Sequence, residues 1–201
     1  MAVPRDLLID LSLSSKEQLT KLRSLARFDS TLINAGRLEM AVRLAVDDRL
    51  QFARDFLSFA RDLASQVKQT DDMYARNALG RTYYAAHHGI RAALLELQDG
   101  DEYDHREAIK AFHQLLLDNN FLREKLKSLH GSNTTPDRTR QALVDLLEMR
   151  HDADYHGYGS SKPGRQSLDF MSESQQAMKW VAELLEKIET YIEDRRNGKV
   201  K

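Results

Sequence analysis

At 201 residues the chain is long enough for one ordinary domain with a real core, and the lack of cysteine excludes disulfides, thiolate metal sites and cysteine nucleophiles. A formal net charge of -1, from 30 basic and 31 acidic residues, excludes a generally basic nucleic-acid binder, so RNA contact has to come from a local patch. Arg5, Asp6 and Asp10 interrupt what would be the apolar core of a signal peptide, and no run approaches the roughly 20 apolar residues of a membrane helix, which points to a soluble cytoplasmic protein with no membrane partner.

Only three prolines occur, Pro4, Pro136 and Pro163, and the span between the first two has helical rather than alternating periodicity. The chain is therefore read as all-α. Ser15 and Gln18 can form a capping box ahead of Leu19, Leu22 and Ala26, which gives a short helix within an N-terminal extension over 1–36. Over 37–68, Val42, Val46, Leu50, Ala53, Leu57, Ala60, Ala64 and Val67 step by three or four, and Phe52, Phe56, Phe59 and Leu63 form an adjoining stripe. This predicts one long amphipathic helix.

Asp71 and Asp72 suit the positive end of the next helix, predicted over 72–98. It has three faces. Leu79, Tyr83, Ala86, Ile90 and Leu94 are bulky, while Ala78, Thr82, Ala85, Gly89 and Ala92 are small and let another helix approach. Asn77, Arg81, Tyr84, His88 and Arg91 make a polar and aromatic row that could line a cleft or a partner interface. His87 and His88, one residue apart, cannot share a metal from one helix; no metal site is predicted.

A third helix is predicted from near His105, with Ile109, Phe112 and Leu116 inward, interrupted at Asn119 and Asn120 before a short helical piece over 121–129. His105, His113 and His130 are read as surface or capping residues. Asp137 opens the next helix, and Gly157, Gly159, Pro163 and Gly164 follow it in a loop carrying Lys162 and Arg165, the candidate RNA contacts there. Ser172 and Gln175 can cap a final helix with Met178, Val181, Leu185, Ile188 and Ile192 inward. Together these predict an up-and-down bundle of four to five helices over 37–196, with the N-terminal extension before it and a basic tail over 197–201 expected to fray.

The stretch with chemical potential is LVDLLEMRHDADYHGYG over 143–159. Arg150 follows Leu146 by four and Leu143 by seven, so it leaves the apolar side of its helix and needs a partner. Asp154, one turn on, can supply it, and the two can simply close the bundle end as an ion pair. Alternatively Arg150 holds a phosphate and His156 moves protons while a ribose 2′-hydroxyl attacks the adjacent phosphorus. That reaction needs no metal but profits from both a base and an acid. The stretch supplies one well-placed histidine unless His151 is the second, so a two-fold dimer that joins two copies of the motif is the mechanistic expectation.

Three stretches resemble the HEPN domain family, named for higher eukaryotes and prokaryotes nucleotide-binding. RNALGRTYYAAHHGIRAALLEL over 76–97 is similar to the family's second helix, DHREAIKAFHQLLLDNNFL to the helix after it, and RHDADYHGY over 150–158 to its signature. In that signature an arginine and a polar residue, here His151, precede a histidine after four to six intervening residues. The resemblance covers 37–196 and is nearest to the subgroup with an Arg-x-x-Ala-Asp-Tyr motif, matched by Ala153, Asp154 and Tyr155. Members of that subgroup often lack the histidine; its presence as His156 argues for retained activity.

The resemblance implies a dimeric, metal-independent endoribonuclease that needs no cofactor and serves as the toxin of a toxin–antitoxin or defence system. Arg150 and His156 would be catalytic, with His151, Asp154 and Tyr158 orienting or assisting, and Arg81, Tyr84, His88 and Arg91 as cleft lining. A nucleotidyltransferase antitoxin that adenylylates Tyr158 is the implied partner besides RNA. The alternative within the family is a catalytically silent module that binds nucleotide or protein through the same cleft.

Overall fold

The computed structural model describes residues 35–66, 73–98, 104–129, 134–155 and 170–200, and these fold as an all-α helical bundle. In chain order the helices are α1 (Ala35–Ser65), α2 (Met73–Gln98), α3 (His105–Asp118), α4 (Asn120–Leu126), α5 (Pro136–Tyr155) and α6 (Phe170–Arg196). No described helix is long and apolar enough to cross a membrane. Residues 1–34 of the extension predicted over 1–36 lie outside the described residues, as do Asp71, Asp72 and His130, and Ala35 and Gly36 already belong to α1.

The four long helices alternate in direction. Phe56 stacks on Tyr84 and Phe52 meets His88, so α1 and α2 run antiparallel. Arg150 reaches Tyr84 while Arg76 reaches Ala153, which sets α5 against α2 in the same sense. Arg54 pairs with Glu189 and Asp47 with Arg196, so α6 runs against α1. Among these helices α2 is central and packs on α1, α3, α5 and α6.

Its composition accounts for that position. The bulky face and the small face are both buried, with Leu79, Tyr83, Ile90 and Leu94 on one and Ala78, Thr82, Ala85 and Ala92 on the other. A helix apolar on most sides is stable only when surrounded. At Gly89 α6 packs so near that an added Cβ would lie 2.2 Å from Leu185 Cδ2. The predicted aromatic stripe of α1 behaves differently: Phe56 is half-buried, but Phe52 and Phe59 stay 55% and 47% exposed.

Local signals set the helix ends. Asp104 caps α3 by accepting from the backbone N–H of Arg106 and Glu107, and Asn119 ends α3 and caps α4 through Leu122 N–H. Thr135 Oγ1 accepts from Arg138 N–H ahead of Pro136, a residue favoured in the first helical turn because it lacks an N–H to satisfy. The final helix starts at Phe170, ahead of the predicted Ser172 cap; Ser172 Oγ instead accepts from Gln176 Nε2.

The basic tail does not fray as expected, at least through Val200. Gly198, at φ 71°, lets Lys199 N–H reach Asp194 O and its own N–H reach Arg195 O, the paired bonds of a Schellman end. Val200 then packs against the core. Arg196 closes this pole by pairing with Glu96 at 2.9 Å and Asp47 at 2.7 Å.

Candidate functional site

Arg150 sits in the last turns of α5, on the side facing α2. Its Nε lies 2.8 Å from Asp154 Oδ2, an ion pair by distance although the N–H is not aligned on the carboxylate. From the other side Nη2 donates to the Tyr84 hydroxyl at 3.1 Å, and the guanidinium carbon lies 5.4 Å from the Tyr84 ring centroid. The side chain is 12% exposed, so these contacts replace most of its hydration.

Two features let α5 end there. Gly80 leaves room on α2 for Asp154, whose Oδ1 would lie 3.6 Å from an added Cβ. Arg76 donates to the carbonyls of Ala153 at 3.0 Å and Asp152 at 3.2 Å, satisfying acceptors that a helix end leaves open, and its guanidinium lies over the Phe170 ring at 4.9 Å. A polar depression of about 330 Å³ opens beside the ion pair, lined by Met73, Arg76, Asn77, Ala153 and Asp154.

Behind Tyr84 lies a histidine cluster that the residue order did not reveal. The Tyr83 hydroxyl is 2.7 Å from His105 Nδ1, and the His105 and His87 rings are 4.5 Å apart. His105 is therefore no simple surface or capping residue, contrary to expectation. His113 does lie at the surface, with its Nε2 2.9 Å from Asp137 Oδ1, a carboxylate partner that the sequence had not indicated. The signal for His105 was its place directly after the α3 cap, but the contact itself is long-range.

Burial and surrounding cations keep these histidines neutral. His87 is pushed down to about 2, first by burial and then by His105, Arg91, His88 and Arg49. His88 is pushed down to about 4 by burial and by Arg91, Arg49 and His105. For His105 burial leads, followed by Arg150, and its pKa also falls. Burial pushes the Tyr83 phenol well up, so it keeps its proton. That proton needs an acceptor, and the geometry offers His105 Nδ1; His105 then carries its own proton on Nε2.

The structure thus joins Arg150, Asp154 and Tyr84 and distributes the other predicted residues. Arg81 lies over Phe56 and Phe59, at 5.8 and 5.5 Å from the ring centroids. His88 stacks on Phe56 at 5.4 Å, and Arg91 is buried among the histidines, only 5% exposed, instead of lining an open cleft. His151 is exposed and belongs to a separate groove between α3 and α5. His156, Tyr158, Lys162 and Arg165 lie outside the described residues.

Among the described residues no group of three or more His, Asp or Glu side chains is placed to hold a metal ion. Comparison with family models, with curated proteins and with solved structures gives no match to this chain.

Proposed function

We propose that this chain is a HEPN-type, metal-independent endoribonuclease that acts as a homodimer, the toxin of a toxin–antitoxin or defence system. The observation that carries the reading is the held guanidinium. Arg150 is fixed at the α5 end by Asp154 and Tyr84, beside a polar depression and directly ahead of the segment that carries His156. A cation already stripped of most water and fixed in place spends little further entropy on a phosphate and can stabilise charge as it develops on phosphorus.

In this reading the ribose 2′-hydroxyl loses its proton to a base as its oxygen bonds to phosphorus, and the P–O bond to the 5′ oxygen breaks. That leaving oxygen takes a proton from an acid, which yields a 2′,3′-cyclic phosphate and a 5′-hydroxyl. His156 of one copy serves as base or acid, its counterpart in the second copy takes the other role, and His151 and Asp154 assist. Tyr158 is the modification target of a nucleotidyltransferase antitoxin.

The test is cleavage of RNA by pure protein in excess chelator, with 2′,3′-cyclic phosphate ends as the product. Loss of cleavage in both Arg150→Ala and His156→Ala supports the reading; cleavage surviving in either variant overturns it. A second reading draws on the same contact: the Asp154 carboxylate at 2.8 Å already balances the charge of Arg150, as in a catalytically silent nucleotide- or protein-binding module or a purely structural bundle end. Wild-type protein inert on every RNA tested would select it.

A further inference from the structure

The groove between α3 and α5 is separate from the Arg150 cluster and has its own chemistry. Arg106 and Lys110 rise from α3, and Arg140 and His151 from α5, around a space of about 410 Å³. Its floor is apolar, made by Ile109, Val144 and Leu147. We propose that this groove binds the sugar-phosphate backbone of single-stranded RNA, with Arg106 and Arg140 as phosphate contacts on its two walls. The identity of the ligand rests on the ribonuclease reading above; the groove's charge and shape do not.

The state of the two arginines is the main argument. In this chain, where acids outnumber bases by one, several exposed or half-exposed cations are committed: Arg54 to Glu189, Lys125 to Asp194, Lys199 to Asp194. Among the described residues neither Arg106 nor Arg140 makes an ion pair or a side-chain hydrogen bond, and both are exposed. Lys110 is shared with Glu107 at 3.4 Å, and Glu148 is the other carboxylate of the groove. Three permanent cations, Arg106, Lys110 and Arg140, therefore face two carboxylates, Glu107 and Glu148.

Shape selects the form of the ligand. Arg140, Val144, Leu147 and His151 recur at helical spacing along one face of α5, so the groove runs for about 16 Å at about 1.5 Å per residue. A surface groove of this length and volume between two packed helices takes an extended single strand along it and not a duplex.

Position connects it to the chemistry. Arg106 follows His105 and His151 follows Arg150, and His105 feels the charge of both Arg150 and His151. The His151 end of the groove is thus one residue along the chain from the guanidinium that would hold the scissile phosphate.

The test uses the full-length chain and a 2′-O-methyl single-stranded RNA, which binds without being cut, in a fluorescence-anisotropy salt series. Arg106→Gln/Arg140→Gln is expected to weaken binding about tenfold or more and to make the slope of log affinity against log salt shallower by about 1.4, or about 0.7 per lost phosphate contact. Glu107→Gln is expected to tighten binding. Unchanged affinity and slope in the double variant, with a wild-type thermal melt, overturn the proposal; displacement by polyglutamate as effective as by RNA overturns the assignment to nucleic acid. Binding that follows these expectations without any wild-type cleavage keeps the groove and defeats the ribonuclease reading. Arg150-dependent cleavage with unchanged affinity in the double variant does the reverse.

Discussion

Tyr84 holds Arg150 in two ways at once, accepting its Nη2 proton at 3.1 Å and presenting its ring to the guanidinium at 5.4 Å. The two contacts come from different parts of one side chain, so they separate by substitution. Tyr84→Phe removes the acceptor and keeps the ring, and should cost about 1 kcal/mol in a urea melt. Asp154→Ala removes a carboxylate that is over a third exposed, and should cost no more than about 1 kcal/mol. Both variants should fold. If either loses several kcal/mol, Arg150 is a structural keystone and not a pre-positioned phosphate ligand.

Tyr83 and His105 offer a spectroscopic prediction. With the phenol donating to Nδ1, the His105 ring nitrogens should show the Nε2–H tautomer in a long-range nitrogen–proton correlation spectrum at neutral pH. In Tyr83→Phe that preference should disappear, with a stability loss of about 1–2 kcal/mol for the buried bond. A wild-type spectrum showing the proton on Nδ1 would reverse the donor and acceptor.

The buried histidines predict acid sensitivity. The folded pKa values of His87 and His88, about 2 and about 4, lie below the ordinary value, so the unfolded chain takes up protons first as pH falls below about 6.5. Their contribution is fully present above that pH. It is lost toward pH 4 for His88 and further down for His87, at about 1.4 kcal/mol per pH unit for each histidine. Urea midpoints at neutral pH and near pH 5 should show the slope, and His88→Phe should make it shallower while His87 and His105 keep the rest. A flat profile over this range would contradict neutral burial.

Two glycines of α2 should respond in opposite directions to alanine. Gly80→Ala meets only an ordinary contact at 3.6 Å and gains helix propensity, so it should stabilise by about 0.5–1 kcal/mol. Gly89→Ala places a methyl 2.2 Å from Leu185 Cδ2 in a buried interface, where overpacking costs about 1–3 kcal/mol and outweighs the propensity gain. Thermal melts of the two variants should move apart. A stabilised Gly89→Ala would mean that Leu185 repacks freely.

The bundle was legible because periodicity and burial coincide along α2 and the inner face of α1: Val46, Ala53, Leu79 and Ile90 are all buried as their spacing requires. The Arg150–Asp154 pair was legible because partners four apart on a helix meet through local geometry alone. His105 escaped because its partner Tyr83 lies on another helix, and only the return of the chain after α2 brings them together. The burial of Arg91 was not legible for a related reason. A polar and aromatic row reads as the lining of a cleft or an interface, whereas α2 is surrounded and Arg91 is buried near His87, as is Arg49. Phe52 and Phe59 err the other way, apolar residues on a side of α1 that is left substantially exposed.

One side chain governs both roots of the connection over 156–169. Arg76 holds the carbonyls of Asp152 and Ala153 at the end of α5 and covers Phe170 at the start of α6. It works as a staple: the end of α5, which carries Arg150, and the start of α6 are both held to α2 by one guanidinium. A change at either root is thereby felt at the other, and the address of Arg150 is set by α2 as well as by its own helix.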